Sequence, residues 1–302
     1  MLKHIVGNIW LVAPRVPKYP YGNCLYIDDE IPAVIDMGAG GNAFAAVPQD
    51  RIRLGLISHF HFDHLHGTGF FPHAELKAGF EERLTYTDQD EYIRFHGYHL
   101  WDELMPGNPR KLYGKVVALP EDVPIQPGFR VIPLTTFTDM EMNTLGKTTV
   151  QAIHLPGHTA GHYGFYFAKE NLLFSGDIDL VKTGPWYNSN SGNVGDLIAS
   201  VNRIKEINPR ILVPSHRRMQ TEAIPDQLAT YVQVVLDREA KIYELLKEPR
   251  TISQLAEYRL AFPDRQNDYE AFWEKMTVRN HLRHLMESGA VAEIETGVYR
   301  QI

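Results

Sequence analysis

An α/β fold followed by a helical C-terminal unit is what the sequence predicts, on three observations. Short apolar runs of strand length recur from Ile5 to Val213, and several end directly in a histidine or an aspartate. One stretch between them carries apolar residues at helical spacing, and so does most of the chain after residue 226. Alternation with period two marks half-buried strands, and recurrence at i, i+3, i+4 marks one face of a helix.

In chain order, residues 1–36 read as short strands around Ile5/Ile9/Leu11, Cys24–Ile27 and Ala33–Ile35, joined through a loop rich in proline and tyrosine (Pro14 to Gly22). Ile52, Leu54, Leu56 and Ile57 mark a buried strand that runs into Ser58-His59-Phe60-His61-Phe62-Asp63-His64. Residues 75–105 are expected to be mostly helical, an aromatic cap carrying Phe80, Tyr86, Tyr92, Phe95, Tyr98 and Trp101; a plain core-packing helix is the alternative. Residues 119–138, with four prolines, are expected to return through short strands. Val150 to Leu155 and Leu172-Leu173 are further strands, leading into Pro156-Gly157-His158 and Ser175-Gly176-Asp177. The stretch Thr183 to Gly192 is too rich in turn formers for regular structure. Val194, Leu197, Ile198, Val201, Ile204 and Ile207 lie on one helical face, stopped by Pro209, and the strand 211–213 delivers His216.

From residue 226 a second unit begins, giving expected domains 1–225 and 226–302. Asp226 is placed to cap a helix through Leu228, Val232, Val235 and Ile242. A helix start at Thr251, a third helix through Val278, Leu282 and Leu285 ended by Gly289, and a hairpin over 291–301 complete it. Three helices and a hairpin look like a winged helix. Eight basic and nine acidic residues from Lys247 onward oppose phosphate binding by this unit, although Arg279, Asn280, Arg283 and His284 precede the wing.

Composition sets outer bounds. An apolar fraction of 44% can fill a core, and a net charge of −7 argues against general nucleic-acid affinity. A single cysteine, Cys24, excludes an internal disulfide framework and reads as a small buried residue. No run reaches the length of a membrane span, and the N-terminus lacks a signal-peptide core, so a cytoplasmic protein is expected.

The chemistry concentrates after the strand that ends at Ile57. Three imidazoles and a carboxylate in six residues are ligand types that zinc prefers. His59 and His61 point to one side of an extended segment, and a turn into helix lets Asp63 and His64 face a second point. His158, Asp177 and His216 each follow another strand, where rigid scaffolds carry chemistry.

Asp36 after a strand, the HxHxDH run, the Gly-His-Thr histidine, the Ser-Gly-Asp aspartate and a last histidine, in that order, resemble the five-motif signature of the metallo-β-lactamase superfamily. The resemblance covers roughly residues 5–220. It implies a four-layer αββα sandwich with metals at one edge. By it, His59, His61 and His158 hold one metal; Asp63, His64 and His216 hold the other; Asp177 bridges them; and Asp36 buttresses the site. The metal-site cysteine of many true zinc β-lactamases is missing here, which disfavours β-lactam hydrolysis. The glutamate that the flavodiiron branch uses at the second motif histidine is absent too, since His61 stands there.

The expected activity is a binuclear hydrolase using a metal-bridging hydroxide on a thioester or lactone, with Asp63 and Asp177 as catalytic carboxylates and two Zn²⁺ as cofactors, iron or manganese being alternatives. A phosphodiesterase or ribonuclease of the same fold and a mononuclear iron persulfide dioxygenase stay open beside it. Trp186, Tyr187 and Arg217 are candidate substrate contacts, Arg217 and Arg218 for an anionic group. His66 and His162 are candidate outer-shell partners. A small-molecule substrate is the expected partner, with no membrane; nucleic acid is disfavoured and a homo-oligomer is left open.

Overall fold

A computed structural model describes all residues, 1–302. The first sheet contains Leu2–Val6 (β1), Ile9–Val12 (β2), Cys24–Ile27 (β3), Ala33–Ile35 (β4), Leu54–Leu56 (β5), Glu75–Gly79 (β6) and Thr135–Phe137 (β7), in that spatial order. Pairing is antiparallel as far as β4 and parallel from β4 to β7. The second sheet contains Met142–Thr144 (β8), Thr149–His154 (β9), Tyr163–Phe167 (β10), Leu172–Gly176 (β11) and Ile211–Pro214 (β12), in the order β12-β11-β10-β9-β8.

Period-two alternation explains why the sheets stack. Ile9, Leu11, Leu25, Ile27, Ala33 and Ile35 of the first sheet meet Val150, Ala152, Phe165, Phe167, Leu172, Phe174 and Val213 of the second in one core. Their neighbours Val12, Cys24, Tyr26 and Val34 face the other way, against the short helix Gly41–Phe44 (α1) and Phe71. On the far side of the second sheet, Leu173 and Leu212 pack against Val194–Ile207 (α5) and Ile224–Leu245 (α6). The result is the helix–sheet–sheet–helix layering that the resemblance implies.

Further short helices are Phe62–Leu65 (α2), Gln89–His96 (α3), Trp101–Leu104 (α4) and Ile252–Ala256 (α7), and a long one, Asp268–Glu287 (α8), lies near the C-terminus. A three-stranded sheet of Arg250–Thr251 (β13), Val291–Glu295 (β14) and Val298–Gln301 (β15) closes the chain in the order β13-β15-β14. Thr251 and Gln254 form a reciprocal capping box at α7.

Several expectations are corrected. Segment 75–105 is helical over most of its length, as 3₁₀ turns (Phe80–Tyr86), α3 and α4, but it opens as strand β6, because its first residues pair with β5 and β7. Phe80 is exposed, whereas other aromatics pack inward: Phe95 lies against Phe60, and Trp101 stacks on Phe272 of α8 at 4.8 Å. Between residues 119 and 138 only β7 is a strand, since prolines cannot donate to a ladder. Asp226 is not the cap of α6; Ala223 is, with Pro225 in the first turn. Helix α6 starts at Ile224, two residues before the expected start of the second unit. Its first half packs on the second sheet, and Ile242 and Leu246 at its end join Val278, Leu282 and Val291.

No helix is long and apolar enough to cross a membrane.

Candidate metal centre

Strand direction alone brings the five motifs together. β4 and β5 run parallel, as do β11 and β12, and β9 is parallel to β11 because both are antiparallel to β10. Asp36, the 58–64 run, His158, Asp177 and His216 therefore leave strand ends along one edge. Gly38 is needed there, since a Cβ would sit 1.5 Å from the Asp63 carbonyl oxygen.

Two clusters form. His59, His61, His158 and Asp177 make one, and Asp63, His64 and His216 the other; within each, one ligand atom per residue lies within 4.8 Å of the rest. In the first, His158 Nε2 stands 3.1 Å from His59 Nε2 and 2.9 Å from His61 Nδ1. The Asp177 carboxylate faces both clusters. Its Oδ2 is 3.5 Å from His158 Nε2, and its Oδ1 is 3.1 Å from His64 Nε2 and 3.3 Å from His216 Nε2.

Hydrogen bonds at the opposite ring atoms set the tautomers. His158 Nδ1–H donates to the Trp186 carbonyl (2.6 Å), and His216 Nδ1–H donates to the Tyr21 carbonyl (3.1 Å). His64 Nδ1–H donates to Asp36 Oδ2 at 2.6 Å. The Ser58 hydroxyl donates to that same oxygen, so it accepts from His59 Nδ1–H at 3.0 Å. Each of these imidazoles thereby presents the Nε2 lone pair to its cluster, the form that binds metal. Asp36 thus orients a histidine of each cluster, one directly and one through Ser58, and its Oδ1 takes the Ser58 N–H.

Electrostatics separate the clusters. Burial pushes His59 and His61 well down and lowers His158, which keeps these imidazoles neutral. Burial opposes the charged forms of His64 and His216 as well, but Asp177 and Asp63, with Asp36 beside His64, outweigh it and raise both. Reciprocally, the histidines hold Asp63 and Asp177 low against their own burial. His64 Nε2 and Asp177 Oδ1 lie close, yet neither makes a directional hydrogen bond. A divalent cation is the partner these donors and carboxylates fit, and the field that would protonate the two histidines attracts it equally.

Behind the ligands stand further polar residues, of which sequence reading named His66 and His162 and missed Glu82 and Asp179. Glu82, fully buried, accepts from Phe60 N–H (3.0 Å) and Gly161 N–H (2.9 Å), clamping the His59–His61 loop to the loop after His158. Burial pushes its carboxyl up to about 7 against these donors. A lone glutamate beside Glu81 gave no motif signal. His162 donates from Nδ1 to the Leu155 carbonyl, and its Nε2 receives Asp177 N–H. His66 Nε2–H is shared by the Pro20 and Gly38 carbonyls. Asp179, buried behind Asp177 and bonded to the Tyr231 hydroxyl (3.0 Å), is pushed up to about 7 by burial and by Asp177.

Of the expected substrate contacts, Trp186 is 41% exposed and packs edge-on against Phe262 and Trp273. Tyr187 does not face a cleft. Only 1% of it is exposed, and its hydroxyl donates to His281 Nε2 (2.8 Å) while accepting from Arg238. Arg217 is half-buried and donates to the Leu180 carbonyl, and Arg218 is exposed. Helix α8 grips the same loop: Asn280 donates to the Tyr187 and Ser189 carbonyls at 2.6 and 2.9 Å.

A family model described as the metallo-beta-lactamase superfamily matches residues 20–216, well over half of the chain. The chain is 32% identical over 106 residues to the lactamase-like protein aptB of Emericella nidulans, covering 35% of this chain and 33% of that one. It is 25% identical over 185 residues to the acyl-coenzyme A thioesterase MBLAC2 of Gallus gallus, covering 56% and 58%. These matches span between a third and three fifths of the relatives' lengths. Among solved structures, the metallo-beta-lactamase family protein TTHA1429 from Thermus thermophilus superposes with a TM-score of 0.76 at 20% identity, over 99% of this chain and 100% of that one. A beta-lactamase domain protein from Burkholderia ambifaria gives 0.68 at 16% identity, over 100% and 93%. These two show the shared fold.

Proposed function

The chain belongs to the metallo-β-lactamase superfamily, and on that footing we propose that it is a binuclear metal-dependent hydrolase of ester-like small molecules, with a thioester as first choice and a lactone as second. The observation that carries this is the Asp177 carboxylate, one oxygen toward His158 and the other toward His64 and His216. A carboxylate shared in this way suits two cations side by side. His59, His61, His158 and Asp177 would hold one, and Asp63, His64, His216 and Asp177 the other. Zinc leads on ligand chemistry, with iron or manganese next.

Divalent cations bound there would polarise the substrate carbonyl and lower the pKa of an attacking water. The protein's own contribution is orientation and proton handling. Asp36, Ser58 and the Trp186 and Tyr21 carbonyls keep the imidazole lone pairs aimed inward. In hydrolysis a C–O bond forms and the C–S or C–O bond to the leaving group breaks. The proton lost by water reaches the leaving sulfur or oxygen through a carboxylate, for which Asp63 and Asp177 are the groups in place.

The thioester choice is supported by the likeness to a protein named as an acyl-coenzyme A thioesterase. A phosphodiesterase reading is weakened by the use made of α8. Arg283 donates to the Gly192 carbonyl, Arg279 to Asn190 and His284 to Glu239, and Asn280 is fully buried, so the residues that read as a nucleic-acid face are engaged internally. We therefore read residues 226–302 as a winged-helix-like unit that braces the site.

Initial rates on thioesters, lactones and an activated phosphodiester, with zinc-reconstituted protein and an Asp177→Ala control, test the proposal. Acyl turnover lost in the control supports it. Phosphodiester turnover alone would overturn it.

A further inference from the structure

Arg238, on α6, carries a charge that the metal centre does not use. Only 7% of it is exposed, and it makes no salt bridge. Nε donates to the Leu260 carbonyl and Nη1 to the Tyr187 hydroxyl, both neutral acceptors, and Nη2 has no protein partner. The acids of the same layer are committed elsewhere. Glu239 accepts from His281 and His284, and Glu274 accepts the N–H groups of Leu260, Ala261 and Phe262. A guanidinium cannot shed its proton in a protein, so a buried one without a counter-charge is costly unless a ligand supplies it.

Arg238 lines a cleft of about 220 Å³ between the loop that follows Asp177 and the C-terminal helices, together with Trp186, Asn188, Phe262 and Thr277. Asn188 is the second observation. It is 7% exposed, and its Nδ2 has no hydrogen-bond partner, although a buried amide normally finds one. Of the other charges along the cleft, Arg265 pairs with Glu257, Glu270 accepts Gln266 N–H, and Asp264 is exposed to solvent. Trp186 ties the cleft to the metal centre. Its carbonyl orients His158, and its indole, set against Phe262, borders the cleft. A substrate with its carbonyl at the metals and its other half past Trp186 would reach Arg238.

We propose that this cleft is a subsite for an anionic group, carboxylate or phosphate, carried on the thiol half of a thioester substrate. Arg238 supplies the counter-charge, Asn188 a further donor, and Trp186 and Phe262 flank the stem that joins anion to sulfur. The assignment rests on the thioester reading above.

The test compares coenzyme A (phosphates), glutathione (carboxylates) and N-acetylcysteamine (neutral) in two ways. One is calorimetric binding of each thiol to zinc-loaded protein; the other is KM for the acetyl thioester of each. Wild type is set beside Arg238→Met and Asn188→Ala. In wild type, one of the two anionic thiols binds about tenfold or more tighter than the neutral one, as a charge-assisted contact should. That ratio collapses in Arg238→Met and falls in Asn188→Ala. Taking the ratio within each variant removes any general loss of integrity, and which anion wins separates phosphate from carboxylate. No anionic advantage in wild type, or one that survives both substitutions, overturns the subsite. Hydrolysis of the neutral thioester without an anionic advantage leaves the thioester reading standing and removes the subsite. An Arg238-dependent advantage in binding, with no thioester turned over, does the reverse.

Discussion

The two halves of the candidate metal centre solve one problem with different chemistry. Around His59, His61 and His158 the donors are imidazoles kept neutral by burial, with the Asp177 oxygen as their one carboxylate contact. Around His64 and His216 the carboxylates of Asp63 and Asp177 dominate and draw both histidines toward the charged form. One half offers lone pairs and the other offers charge. The braces differ as well: Glu82 clamps the loops of the first half, whereas Asp36 reaches both. On the proposed binuclear reading, two cations would sit side by side without one half repeating the other, and damage to each half should look different.

The largest effect is expected at the residue they share. Asp177→Ala should lower turnover on the order of 10³-fold, comparable to removing a major catalytic electrostatic group. Metal analysis should show binding at both halves weakened. Retention of two tightly held equivalents would break the bridging picture.

Glu82 should act through pH and on the first half only. Its carboxyl titrates near 7 in the fold and near 4.5 when unfolded, so between those values the folded state binds more protons. Stability is then fully present below about pH 4.5 and declines as pH rises toward 7, by about 3 kcal/mol. Glu82→Gln should flatten that decline, read as urea midpoints at pH 5 and pH 8. An unchanged slope would mean that the two N–H donors keep the carboxylate ionised.

Asp36→Asn should cost about 10–100-fold in metal affinity or rate. Competition with a chelator would resolve its two routes. Loss confined to one equivalent points to the direct bond with His64, and equal loss from both shows that the Ser58 relay to His59 matters as much.

The smallest effect is expected farthest away. Asn280→Ala leaves the Tyr187 and Ser189 carbonyls without their donor and should cost about 1–3 kcal/mol of stability in denaturant unfolding. The rate should fall only a few-fold, because the disturbance reaches His158 through the Trp186 carbonyl alone.

Much of this was legible because it is local. His59, His61, Asp63 and His64 sit at a strand end, where spacing alone sets direction. Helix α5 begins and ends where its apolar face does, and the β14–β15 hairpin matches its turn signal. Glu82 was illegible because no motif surrounds it in the 3₁₀ stretch Phe80–Tyr86, and its partners lie 22 and 79 residues away. Tyr187 misled for a related reason. Its neighbour Trp186 does border the cleft, but consecutive residues of an irregular loop take their directions from whatever packs on them, here His281 and Arg238.

By itself the sequence determined the strand-and-ligand order, the metal-binding residue types and, through their resemblance, the family and its layered fold. Those properties follow from periodicity and from side-chain chemistry, which need no knowledge of distant neighbours. Only the tertiary structure decided which carboxylate braces which histidine, that α6 packs on the second sheet with one half and on the C-terminal helices with its end, and that Arg238 lies buried without a counter-charge beside a cleft. Each of these depends on contacts between residues far apart in the chain, where burial and hydrogen-bond geometry, rather than local preference, set the outcome.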